Sequence, residues 1–207
     1  MRVQKVFINV KSNKKIMEHV LFHFFVYFYF LGFILAVLVD KEYVKNFRVL
    51  GTLKLRAFLD FVPITMPRII LPFLAQPKIS LPLWITLSTG AGLFTFSMVL
   101  YFFAFKELGG FQPKEKKLIK GGVYGLIRHP MYLAEMLWPI GWAIAFGALW
   151  ASLVAPFFST YFVYLLLEEE KELAALFGEE YREYEKHVPR FLPKISLRFS
   201  EKERRNK

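Results

Sequence analysis

The sequence predicts an all-α protein: a polytopic transmembrane helical bundle of about five spans, with a C-terminal amphipathic cytoplasmic helix. Three observations lead there. Of the 207 residues, 55% are hydrophobic and 18% aromatic, above the roughly 45–50% apolar content of soluble domains. The excess is gathered into long uncharged runs, the pattern of membrane spans. The 28 Lys and Arg residues cluster beside those runs, giving a formal net charge of +11. Basic flanks meeting anionic lipid explain that charge, and no zinc-finger, RNA-binding or helix-turn-helix signature points to nucleic acid. With no cysteine, disulfides, thiolate nucleophiles and cysteine metal sites are excluded.

The elements follow in order. Residues 20–39 carry no charge, and twenty residues at 1.5 Å rise match a hydrocarbon core of about 30 Å. No small-residue cleavage site follows, so this run reads as a retained span. Residues 57–75 are interrupted by Asp60, Arg68, Pro63, Pro67 and Pro72. They read as a distorted span, with a re-entrant or interfacial helix as alternatives. Residues 81–105 form a span in which Gly90, Ala91, Gly92 and Ser97 permit close helix approach. Residues 133–167 hold one charge, Glu135. That is too long for one straight helix and suits a hairpin of two short spans, broken at Gly147 or Pro156.

A hairpin returns the chain to the side it left. The basic loop 106–128 and the tail 168–207 then share one face, which the positive-inside rule makes cytoplasmic. Leu173, Leu176, Phe177, Tyr181 and Tyr184 recur at helical spacing and make 168–186 an amphipathic helix. The organisation is thus an N-terminal transmembrane region (1–105), a region of loop, helical hairpin and amphipathic helix (106–195) and a basic tail (196–207), with residues 187–207 reading as a basic end on lipid headgroups.

Three polar groups bracket the hairpin: Leu118-Ile119-Lys120-Gly121-Gly122-Val123-Tyr124, then Arg128-His129-Pro130-Met131-Tyr132 with Glu135, then Glu168-Glu169-Glu170. All three can converge at one interface. Gly121 and Gly122 allow a tight turn or positive φ. Pro130 suits the first helical turn. That places His129 at a helix entrance, where free N–H groups receive a carboxylate. Arg128 can add a two-pronged contact to the same anion, Glu169 can hold an ammonium, and Tyr124 and Tyr132 can face a sulfonium. A zwitterion with an amino acid moiety would satisfy both ends. Glu135, an acid inside an apolar run, is a functional candidate, and Arg128 and Glu135 are the candidates for chemistry. The plainer account of these residues is a basic membrane flank followed by a solvated, acidic helix turn. Tyr181 and Tyr184 read as packing residues, His19 and His23 as interfacial rather than metal ligands, and no metal site is expected. Asp60 and Arg68 carry no assignable chemistry.

Gly122-Val123-Tyr124 through Arg128-His129-Pro130-Met131-Tyr132 resembles the isoprenylcysteine carboxyl methyltransferases and their phospholipid-methyltransferase relatives. So do Glu169-Glu170-Lys171-Glu172-Leu173, Phe177-Gly178-Glu179-Glu180-Tyr181-Arg182-Glu183-Tyr184, and Val188-Pro189-Arg190 with Pro193. The resemblance covers roughly residues 106–195. It implies S-adenosylmethionine as methyl donor and a multi-pass enzyme whose active site faces the cytoplasm. It also implies a lateral opening for a lipophilic acceptor. Carried over position by position, Tyr124, His129, Pro130, Met131 and Tyr132 would line the donor site. Lys117, Leu118, Ile119 and Glu169 would contact it from the flanking segments. Two positions depart from the pattern: Leu165 stands where eukaryotic members carry an arginine implicated in acceptor binding, and Ala134 where the motif has glycine. Residues 1–80 carry no resemblance.

The reading is an integral-membrane methyltransferase moving a methyl group from S-adenosylmethionine to a lipophilic acceptor. The alternatives are a phospholipid or other amine N-methyltransferase, a non-catalytic membrane scaffold of the same fold, and a membrane reductase of sterol-reductase type. An ionised carboxylate acceptor needs no general base, whereas an ammonium must first lose a proton, to Glu135 or His129.

Overall fold

The structure, a computed structural model, describes residues 2–45, 60–109 and 117–193. The basic residues of 46–56, part of the basic loop and the tail 196–207 lie outside the described residues. Seven α-helices make up the described architecture: α1 (Arg2–Lys45), α2 (Met66–Ile70), α3 (Leu83–Glu107), α4 (Pro130–Ala145), α5 (Leu149–Val154), α6 (Thr160–Phe177) and α7 (Glu179–His187). A π-helical turn, Asp60–Thr65, leads into α2, and 3₁₀ turns cover Leu71–Phe73, Gly122–Gly125 and Ala155–Ser159. Among the described residues the only β pairing is an isolated bridge between Lys78 and Ala148.

Among the described residues, three helical stretches are long and apolar enough to cross a membrane: Ile16–Leu38, Leu83–Glu107 and Leu149–Phe177. Val62–Phe73 is a shorter apolar helix. At 16 residues, α4 is about 24 Å long, short of a hydrocarbon core of about 30 Å. The long stretches expose large apolar side chains such as Phe24, Leu31, Trp84, Phe102 and Phe157. A belt of this kind on a soluble protein would drive association, whereas lipid tails are its natural solvent.

The helix contact of greatest extent joins α3 to α4. It depends on two glycines. A Cβ at Gly90 would overlap the Ala145 backbone nitrogen, and one at Gly141 would stand 2.7 Å from the Phe94 nitrogen. Of the small residues noted in the sequence, Gly90 and Ser97 are buried, while Ala91 and Gly92 are exposed. Below this pair, Tyr29 and Ala36 of α1 pack with Ile64, Leu71, Ala143, Phe158, Tyr161 and Phe162. The Tyr29 hydroxyl donates to the Phe158 carbonyl.

The 133–167 run breaks at Gly147, which has φ +60°. An extended segment clamps the turn: Ile79 N–H donates to the Gly147 carbonyl at 2.9 Å, Ala151 N–H to Gln76 Oε1 at 2.8 Å, and Lys78 Nζ to the Phe146 carbonyl at 3.0 Å. The chain then returns through α5 and α6. One expectation is corrected: 168–186 is not a single helix. Residues 168–177 continue α6, and Gly178, at φ +52°, separates them from α7. The turn lets α7 fold back on the loop before α4.

Candidate active site

The hairpin brings the start of α4 beside the end of α6. His129, the residue before α4, lies with Nε2 3.0 Å from Glu170 Oε1, although 41 positions separate them. The loop ahead of it is held by backbone pairing to the tail. Arg128 N–H donates to the Pro189 carbonyl at 2.8 Å and His129 N–H to the Arg190 carbonyl at 3.2 Å. The His129 amide is therefore occupied by the chain itself.

Glu170 is the centre of this assembly. Arg190 grips it through Nη2 at 2.7 Å and Nε at 3.0 Å, and Arg128 Nη2 approaches to 3.4 Å. Arg128 also reaches Glu185 at 3.2 Å and the Tyr181 hydroxyl at 3.3 Å, so its fork is committed to the protein while Nε lacks a partner among the described residues. The Tyr184 hydroxyl donates to the Tyr124 carbonyl at 2.6 Å, tying α7 to the 3₁₀ turn. Gly122 holds that turn against α3. Its φ is +55°, and a Cβ there would overlap Glu107 Oε1. Gly121 faces open space with an extended backbone, so only one glycine of the pair is required by geometry.

Burial sets the electrostatics. It lowers the His129 pKa below the usual histidine value, against the pull of Glu170 and Glu169. Burial outweighs both carboxylates, and the charge of Arg128 pushes the same way. Burial raises the Tyr124 and Tyr181 hydroxyls and pushes Tyr184 up to about 12. These phenols stay protonated; Tyr184 donates and Tyr181 accepts. The hydrogen bond to Glu170 raises Arg190 further.

A cavity of about 520 Å³ opens beside this network, lined by Tyr124, Arg128, His129, Met131, Tyr132, Glu135 and Glu169 among others. Ile64, Thr65, Arg68 and Tyr101 close it from the N-terminal half, and Phe162 and Leu165 from α6. A cleft of about 80 Å³ adjoins it, lined by Lys117, Leu118 and Ile119 and sharing Tyr124, Arg128, His129 and Glu169 with it. The structure thus brings the sequence-derived residues to one place, apart from Pro130, which is buried and lines neither space. Glu169 stands between the two, partly exposed, with its carboxylate 4.0 Å from His129 Nδ1. His19 and His23 lie on the exposed surface of α1, and no cluster of metal-ligating residues occurs among the described residues.

Sequence reasoning misses two residues. It favours Glu169 over its neighbour Glu170. It gives Arg68 no role, yet Arg68 is buried, with Nη2 3.0 Å from Glu135 Oε2 and Nη1 3.2 Å from the Glu135 carbonyl. Trp138 Nε1 donates to the same Glu135 oxygen at 3.0 Å. The available signal for Arg68 is a lone cation in an apolar stretch, and for Glu170 the downstream Arg190.

Comparison with known proteins bears out the resemblance. Residues 85–180 match the phospholipid methyltransferase family. The protein-S-isoprenylcysteine O-methyltransferase of Schizosaccharomyces pombe is 31% identical over 86 residues, 40% of this chain and 35% of that protein. Its Homo sapiens counterpart is 40% identical over 83 residues, 38% of this chain and 28% of that protein. A Delta(14)-sterol reductase of Mus musculus is 29% identical over 85 residues, 39% of this chain and 20% of that protein. The matched region thus spans about a third or less of the length of these relatives. The apolar helices and this similarity together make the chain a membrane protein.

Proposed function

We propose that the protein is a membrane methyltransferase that uses S-adenosylmethionine and a lipophilic acceptor. The observation that carries this reading is the shared cavity in which His129, Tyr124, Tyr132, Met131 and Glu169 meet. Its volume of about 520 Å³ lies within the roughly 300–1,000 Å³ of small-molecule sites. The chemistry of its lining fits the donor: a half-exposed carboxylate at Glu169 for an ammonium, and the rings of Tyr124 and Tyr132 for a cation. Lys117, Leu118 and Ile119 line the adjoining cleft and would hold the rest of the molecule.

When bound, the donor supplies an electrophilic methyl group on a sulfonium. The chain's own part is alignment and exclusion of water. Proximity and orientation account for about 7–11 kcal/mol of a two-reactant barrier. The Arg128–Glu170–Arg190 network fixes the His129 ring, so the cavity wall is preorganised. Glu135 Oε2 receives hydrogen bonds from both Arg68 and Trp138, so that oxygen is engaged with the protein instead of being poised over a substrate proton. That favours an acceptor already ionised, such as a carboxylate, over an ammonium that must first be deprotonated.

We also propose five crossings, with the cavity on the cytoplasmic face. Contacts of Tyr29 with Phe158 and of Phe33 with Tyr161 and Tyr164 run α1 parallel to α6. The segment 62–73 then runs from the cavity at Ile64 towards the turn clamped by Gln76. Helices α3, α4 and α5–α6 alternate after it. In this arrangement the N-terminus lies opposite the cavity.

The sterol-reductase relative favours a second reading, a membrane reductase on the same scaffold. Titration of the detergent-purified protein with S-adenosylhomocysteine decides between them. Micromolar binding lost in Glu169→Ala supports the methyltransferase. Absence of binding by a folded sample, with NADPH oxidation instead, supports the reductase.

A further inference from the structure

Arg68 comes from outside the matched region, and its setting is that of a ligand-binding group. It is 3% exposed and lines the cavity opposite His129 and Glu169. Its guanidinium carbon lies 4.7 Å from the centroids of both the Trp138 and Phe162 rings, so two aromatic faces hold the fork. Nη1 and Nη2 each direct one N–H to Glu135. Nε, buried, has no partner among the described residues. Buried donors are nearly always satisfied; Glu135 takes only two of the N–H groups of Arg68, so the guanidinium keeps donors for an acceptor atom in the cavity that it lines. Arg68 and Trp138 both donate to Oε2 of Glu135, which fixes that carboxylate beside the guanidinium.

We infer that Arg68 is the acceptor-binding cation of this site and takes an oxyanion at the head of an alkyl chain. The inference rests on the methyltransferase reading, since it is there that a second ligand must share the cavity. The chemistry of the walls agrees: Ile64, Phe162 and Leu165 line the cavity around Arg68 and suit an alkyl chain. A charge-assisted hydrogen bond from the guanidinium would favour an oxyanion over an amine by about tenfold to a hundredfold. Lysine cannot replace it, for it lacks the planar fork that bonds Glu135 and the ligand together.

The test uses the full chain in lipid nanodiscs, with protein-free discs as the baseline. Binding of dodecanoate, dodecyl phosphate and dodecylamine is measured by calorimetry, and S-adenosylhomocysteine is titrated into the same sample. Dodecanoate or dodecyl phosphate should bind at least about tenfold more tightly than dodecylamine. The tighter of the two names the head group. Arg68→Lys should erase the preference while S-adenosylhomocysteine affinity stays within about threefold, and acceptor KM should rise more than kcat falls. Equal or tighter amine binding, or a preference unchanged in Arg68→Lys, overturns the inference. Should the variant not fold, the comparison of oxyanion with amine on the wild-type protein still decides. Loss of S-adenosylhomocysteine binding in the wild-type protein is a separate result, which removes the methyltransferase reading instead.

Discussion

His129 and Glu170 are joined ring to carboxylate at 3.0 Å, deep in the fold, while Glu169, one residue earlier, faces the cavity with its side chain 44% exposed. Neighbouring acids on one helix thus have opposite tasks. Glu170 binds the protein to itself, and Glu169 is placed to meet a ligand.

Substitution separates the two. Glu170→Ala leaves Arg128 and His129 buried beside a lost partner and releases Arg190. Breaking a buried pair in this way costs about 3–5 kcal/mol, so the melting temperature should fall sharply. Glu169→Ala should melt close to the wild-type protein yet bind S-adenosylhomocysteine at least about tenfold more weakly, the scale of one charged hydrogen bond. Thermal unfolding and calorimetry on both variants check this. Equal melting temperatures would reverse the assignment.

A pH dependence follows from His129. Burial lowers its folded pKa below the unfolded value of about 6.5. Between the two values the unfolded chain binds more protons, so stability is intact above pH 6.5 and declines as pH falls below it. The groups facing the ring are Glu170, Glu169, Arg128, Tyr132 and Phe191. Melting temperatures recorded from about pH 8 down to about pH 5.5 should show this decline in the wild-type protein and a flatter profile in His129→Gln. A wild-type protein that grows more stable on acidification would contradict the buried, neutral imidazole.

Gly122 and Gly121 make an internally controlled pair. An alanine at 122 meets a left-handed backbone and collides with the Glu107 carboxylate. The backbone strain alone is about 1–2 kcal/mol and falls on the turn that carries Tyr124, while the exposed Glu107 side chain can swing aside. Gly122→Ala should lower both the melting temperature and donor affinity, and Gly121→Ala, in open space, neither. Similar behaviour of the two variants would mean that the turn is not held as described.

Much of this is legible in the residues, for local reasons. The long apolar run with its single charge and its glycine predicts a hairpin, and a hairpin brings its two polar ends together whatever its details. The exceptions are long-range. Arg68 finds Glu135 across 67 positions, and nothing nearby in sequence announces it. Glu169 and Glu170 differ only by the turn of about 100° between successive helical residues. Which of them is buried depends on where Arg128 and Arg190 lie. Apolar spacing persists across Gly178, so the sequence there reads as one continuous amphipathic helix. The positive φ that breaks it is a property of the backbone that spacing does not register.

The α3–α4 contact can be probed at two glycines of α3. Gly90 lies where the two backbones nearly touch: a Cβ there would stand 2.6 Å from the Gly141 carbonyl oxygen and overlap the Ala145 nitrogen. Backbone atoms cannot swing aside as a side chain can, so Gly90→Ala must push the helices apart. Overpacking of this kind costs about 1–3 kcal/mol. Gly92, two residues on, faces outward with nothing within 4 Å, and alanine there should be neutral or slightly stabilising through helix propensity. Both variants alter the same α3 segment by one methyl group, so lipid affinity and insertion are matched. The displacement would also reach the cavity, because α4 carries Met131, Tyr132 and Glu135 on its first turns. Gly90→Ala should therefore lower thermal stability and weaken acceptor binding together, while Gly92→Ala lowers neither. Equal tolerance at the two positions would show that the helices are not in backbone contact at Gly90.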